Sequence, residues 1–246
     1  MNPDACEKKI GELRNSKDIK SLAPGIPVAI VMQEAINLHN WCKPDREILI
    51  GTGFDWKLAE DIPIRVEALG KLETLWASER LLVKQFRKEW KIALPQALGL
   101  RTELLHHFRF AFRSRHDARA AVKRVSKGNS YADMIQDLCD LSALGKKYQN
   151  ELKTTGFDMD LLDRAYKMSF DLGGLLGSVN HESNRSSENQ NLRNKAYYHL
   201  KEAVDTLRKA GQYAFWQNEE RLKGYSSAYI KVRNLKYRKK DASIPL

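Results

Sequence analysis

Apolar residues recur at helical spacing along most of the chain, and nowhere do they alternate with polar ones as a half-buried strand requires. Met134, Leu138, Leu141, Tyr148 and Leu152 keep one face apolar, and Leu161, Ala165, Met168, Leu172, Leu175 and Val179 do the same on the next segment. Further on, Ala196, Ala203 and Ala210 fall one heptad apart beside Leu192, Leu200, Leu207 and Ala214, so that a neighbouring helix can approach closely along that line. These stripes predict an all-α protein, an antiparallel bundle of about six main helices.

Start and stop signals divide the stripes. Pro27 opens a first helix that ends before Pro44, and Asp55 caps a second that is reset at Asp61-Ile62-Pro63 and reaches about Lys91. Pro95 opens a third, to about Val125, and Ser130 with Asp133 forms a capping-box start for a fourth. Asp158 caps a fifth, and a Ser/Asn-rich joint at 183–187 precedes a sixth that ends at Gly224.

Sliding the sequence along itself by 103 positions brings two segments into register without a gap. Thr52-Gly53-Phe54-Asp55 returns as Thr155-Gly156-Phe157-Asp158, and Phe110-Ala111-Phe112 meets Tyr213-Ala214-Phe215. About 14 of the 48 pairs between 25–72 and 128–175 are identical. The chain is therefore expected to hold two tandem, related helical units, 25–127 and 128–230, with an N-terminal arm (1–24) and a basic C-terminal tail (231–246). The shared T-G-F-D reads as architecture: Gly suits the left-handed residue after a helix, Asp caps the next one, and the Phe between them staples the joint.

Composition narrows the class. Lys and Arg number 42 against 31 Asp and Glu, a formal charge of +11, which favours an anionic partner without choosing one. The polar N-terminus has no apolar leader and the longest apolar run is Ile26–Met32, so no membrane span is expected. Cys6, Cys42 and Cys139 make no CxxC pair and fit a reducing cytoplasm.

Chemistry-bearing motifs are few. Glu103-x-x-His106 resembles half of the carboxylate-bridged di-iron signature, but the positions 103 residues later are Thr206 and Lys209. Nucleophile-elbow, Walker, dinucleotide-fingerprint and zincin motifs are missing, and the glycines Gly173, Gly174 and Gly177 fall mid-helix, where close crossing or a kink explains them. No catalytic residue, metal or cofactor is assigned. The candidate contact surface for an anion or nucleic acid is Arg109, Arg113 and Arg124, which fall opposite Leu104, Leu105, Phe108, Phe112 and Val122, together with Lys236, Arg238, Lys239 and Lys240 of the tail. Arg101, Arg115 and Arg119 fall among apolar residues and are expected to snorkel or to pair with carboxylates. Phe110 and Tyr213, matched in the 103-residue register, are candidate interface aromatics. The expected function is non-enzymatic, through binding a protein partner or self-association; the alternatives are association with nucleic acid and a bundle enzyme of unspecified chemistry.

Overall fold

The computed structural model describes residues 3–241. All regular structure among them is helical. Helix α1 spans Pro3–Asn15, α2 Val28–Cys42 and α3 Arg46–Gly51, with a 3-10 turn at Lys43–Asp45 between the last two. The long α4, Trp56–Ala111, is followed by α5, His116–Val125, α6, Tyr131–Lys147, and α7, Gln149–Lys153. A second long helix, α8, covers Asp160–Ala214 and precedes α9, Glu219–Gly224, and α10, Ala228–Asp241.

The chain divides into two compact units whose boundaries fall inside the long helices. One comprises the residues up to Ser78 and those from Ser186 onward; the other is Glu79–Arg185. The first unit packs Leu13, Leu38, Leu49, Ile62 and Leu69 with Tyr197, Leu200, Leu207 and Tyr225. The second packs Leu104, Phe108 and Phe112 with Leu138, Leu141, Leu152 and Leu162. This division cuts the chain differently from the sequence period, whose units meet in the loop at 127–128: each compact unit takes the first part of one long helix and the last part of the other.

Several expected breaks are absent. The chain runs helically through Pro63 and Pro95 in α4 and through 183–187 in α8. A proline inside a helix removes one N–H and leaves the carbonyl four residues back without its donor. At Pro63 that carbonyl belongs to Ala59, and the His39 ring of α2 bonds it through Nδ1 at 2.9 Å. Burial pushes the His39 pKa down, against the pull of this bond, which favours a neutral ring with Nδ1 as donor. The real break comes at 112–115, between α4 and α5. The N-terminal arm is also more than an arm: Cys6, Ile10 and Leu13 recur at i, i+4 and i+7 on α1 and are buried, while Lys9 pairs with Asp61 at 3.0 Å. The basic residues after 230 lie on α10, not in an extended tail.

The hairpin joints do form where T-G-F-D stands. Gly53 and Gly156 have φ of +83° and +70°, the only positive values among the described residues. Their amides donate to the carbonyls of Ile50 and Lys153, and the amides of Phe54 and Phe157 to Leu49 and Leu152. Thr52 and Thr155 hydroxyls donate to the same two leucine carbonyls. The carboxylates of Asp55 and Asp158 accept the amides of Lys57 and Asp160, each at 3.0 Å. Ser130 and Asp133 complete a reciprocal capping box on α6. The long helices end alike as well, at Ala111 and Ala214, with Arg115 and Asn218 in nearly the same conformation before the next helix.

In the first unit, His199 on α8 is half-buried, and its pKa is pushed down to about 4 by burial first and then by the charges of Arg65 and Lys9. A group whose folded pKa lies below its unfolded one binds fewer protons when folded. Its contribution is therefore complete above the unfolded value near 6.5 and is lost as pH falls toward 4. Allowing for partial exposure, acidification from pH 7 to 4.5 should cost about 2 kcal/mol through this residue. Urea titrations of wild type and His199→Gln across that range check this. Equal losses in both proteins would remove His199 as the cause.

Candidate functional site

The last turn of α4, the turn after it and the exposed face of α5, all in the second unit, carry a group of basic side chains that have no carboxylate partner among the described residues. Arg109, Arg113, His116, Arg119 and Lys123 line an open hollow of about 970 Å³, with Ala120, Val122 and Ser126 completing the wall. Arg109 stands in the last turn of α4 and Arg113 four residues on, in the turn that follows, while His116, Arg119 and Lys123 fall at i, i+3 and i+7 on α5, so the break at 112–115 brings the basic side chains to one concavity. All five residues are exposed, and among the described residues none of the five forms an ion pair.

Helix electrostatics account for only part of this group. Cations in a last turn complement the free carbonyls there, which suits Arg109 on α4 and Lys123 on α5. Arg113 donates to the Phe110 carbonyl at 2.9 Å, a local cap on the end of α4. Arg119 and His116, however, stand in the first turn of α5, the end that disfavours a cation, so helix stability does not explain them. The positions 103 residues later are Gln212, Trp216, Glu219, Leu222 and Ser226, and carry no basic group.

The other expected residues are distributed differently. Arg124 is exposed but lines a separate depression with Asp133, Asp137, Asp140 and Lys147. Lys236 and Arg238 are exposed on α10, in the first unit; the side chains of Lys239 and Lys240 lie outside the described residues. Arg101 donates to Asp137 at 2.6 Å, and Arg115 to Asp117 and to Glu151. Burial raises the Asp137 pKa despite the arginine beside it, whereas Arg115 and then the Tyr148 hydroxyl hold the Asp117 carboxyl far below its usual range. Arg119 forms no ion pair among the described residues: on α5 it is exposed beside the buried Val122 and lines the hollow with it. Its placement was hidden by reading α4 and α5 as one helix, and so were His116 and Lys123.

Phe110 is 58% exposed at the end of α4, with the Arg113 guanidinium 4.4 Å from its ring centre, and Tyr213 is 74% exposed on α8. Glu103 and His106 are exposed on α4, and among the described residues no cluster of three or more His, Cys, Asp or Glu could hold a metal ion. Gly174 and Gly177 have open space where a side chain would stand, and Gly173 only an ordinary contact with Ile135, so no helix crosses closely there. No helix among the described residues is long and apolar enough to cross a membrane. No family model, no curated protein and no solved structure matches the chain.

Proposed function

We propose that this is a non-enzymatic helical binding protein, made of two tandem copies of one helical unit, and that the basic hollow of its second compact unit docks the sugar–phosphate backbone of a nucleic acid. The observation that carries the reading is the hollow itself: basic side chains converge there without an ion pair among the described residues, His116 and Arg119 at positions that helix stability does not explain, and none of them at a position where the repeat keeps a basic group. Repeated phosphates are the anion such a row of point charges and guanidinium forks suits, because each contact releases condensed counterions.

The duplication is supported by compensation as well as identity. Asp137 pairs with Arg101, whereas its counterpart Glu34 pairs with Arg208 at 2.8 Å. The register sets Arg101 against Val204, and Leu105 against Arg208. Both copies thus keep a carboxylate–guanidinium pair, with the arginine moved by one helical turn and the vacated position filled by a buried aliphatic side chain.

A protein-partner reading is favoured at a different place. Tyr213 and Trp216, i and i+3 on the end of α8 and the turn after it, are 74% and 70% exposed, the kind of aromatic pair that anchors protein contacts.

The test of the nucleic-acid reading is salt dependence. Anisotropy of a short labelled strand should report micromolar binding at about 50 mM salt, weakening steeply as salt rises. Replacing Arg109, Arg113, Arg119 and Lys123 together by Ala should flatten the slope of log K against log salt by about 3 units, while the helical content and melting temperature stay near wild type because all four side chains are exposed. Absence of binding at low salt, or an unchanged slope in the variant, overturns the reading.

A further inference from the structure

We infer that Phe110 is a stacking platform, so that the basic hollow selects single-stranded over duplex nucleic acid; this rests on the phosphate-docking reading above. Phe110 stands on the last turn of α4, 58% exposed, outside the buried cluster that holds Phe108 of the same helix and Phe112 just after it. Its neighbour Arg113 belongs to two features at once: it lines the hollow, and its guanidinium lies 4.4 Å from the centre of the Phe110 ring. A strand whose phosphates follow Arg109, Arg113 and Arg119 therefore passes beside an aromatic face that the protein core does not use.

The physical consequence differs between the two forms of nucleic acid. In a duplex the base faces are already stacked on one another, and a protein ring beside the backbone finds only sugars and phosphates. In a single strand each base offers a free π-face, and an aromatic ring flanked by arginines takes it whatever the base. The arginine on Phe110 also fixes the side chain's position through a cation–π contact, so less motion is lost when a base arrives. The pairing of a charged track with one aromatic platform is what sequence-tolerant binding of single strands requires.

The experiment compares a labelled thymidine oligonucleotide with a duplex of the same length, using the full chain and the variants Phe110→Ala and Phe110→Trp. Wild type is expected to bind the single strand more tightly than the duplex. Phe110→Ala should weaken single-strand binding by roughly 5- to 150-fold, the range for one base stacked on one ring, and leave duplex binding within about twofold. The salt slope should not change, because no phosphate contact is removed, and Phe110→Trp should restore the affinity. Single-strand affinity unchanged in Phe110→Ala, an equal fall on both forms, or a wild-type preference for duplex overturns the inference while leaving phosphate docking intact. If wild type binds neither form at low salt, the docking reading fails and this inference fails with it.

Discussion

Replacing Glu34 by Ala should lower the stability of the protein by about 4 kcal/mol, more than truncation of an exposed acid could. Glu34 stands on α2 with 15% of its side chain exposed and accepts three hydrogen bonds, from α8, from Ser227 just before α10, and from α10 itself. Arg208 of α8 donates to one carboxylate oxygen at 2.8 Å; the Ser227 hydroxyl and the Tyr229 amide donate to the other at 3.0 and 2.9 Å. The Tyr229 amide is one of the first-turn donors of α10 that no intrahelical carbonyl can satisfy, so Glu34 acts as a cap supplied from another helix. Burial alone would raise its pKa, but the Tyr229 amide, Ser227 and Arg208 outweigh it and hold the carboxyl below the usual value. Truncation leaves the Arg208 guanidinium, 13% exposed, without its carboxylate and the start of α10 without an acceptor. Glu34→Gln keeps an acceptor but loses the charge, and should fall between the two. Urea midpoints at constant slope measure both; a loss under about 1 kcal/mol for Glu34→Ala would show that water replaces these bonds freely.

The parts of the fold that could be read from sequence are those written in local chemistry. T-G-F-D carries its own instruction, a residue needing positive φ followed by a cap, and both of its occurrences form the expected joint. The interrupted stretches misled because the compensation comes from elsewhere in the chain. Pro63 marks a stop by local rules, yet the carbonyl it strands is bonded by His39, twenty residues earlier and on another helix. The register shows the two as linked: 103 positions later stand Ser142 and Tyr166, and where the proline is absent the imidazole is absent too. Likewise, Cys6, Ile10 and Leu13 make a stripe too short to announce a helix, and only packing on the first unit's core identifies it. Two of the five basic residues of the candidate site were legible, since Arg109 and Arg113 stand out as charge on a polar face. His116, Arg119 and Lys123 became legible only once the turn at 112–115 rotated α5 relative to α4, a change of phase that no single residue there signals.

Gly211→Ala should cost about 3 kcal/mol, although Ala is the better helix former and the substitution lies inside α8. A methyl group built on Gly211 would fall within the ring of Tyr225. That ring cannot step aside. It is fully buried, its hydroxyl donates to Asp45 at 2.6 Å, it stacks on Phe215 at 5.6 Å between centres, and its carbonyl accepts the Gln212 amide at 2.8 Å. The Asp45 carboxylate is in turn held by Arg221, so relief would break a buried network as well as shift a ring. In the register, Gly211 and Tyr225 fall on Phe108 and Val122, both buried: the second compact unit places the large ring on the long helix and the small residue on the one after it. The two matched pairs hold the larger and the smaller residue in opposite order, an exchange that conserves volume in each core. Gly174→Ala is the matched control, a glycine in the same helix with nothing near the added methyl, and it should stabilise by about 0.5 to 1 kcal/mol through helix propensity. Thermal or urea unfolding of the two variants should therefore move in opposite directions. If Gly211→Ala unfolds like Gly174→Ala, the Tyr225 ring is free to move and the close packing argued here does not hold.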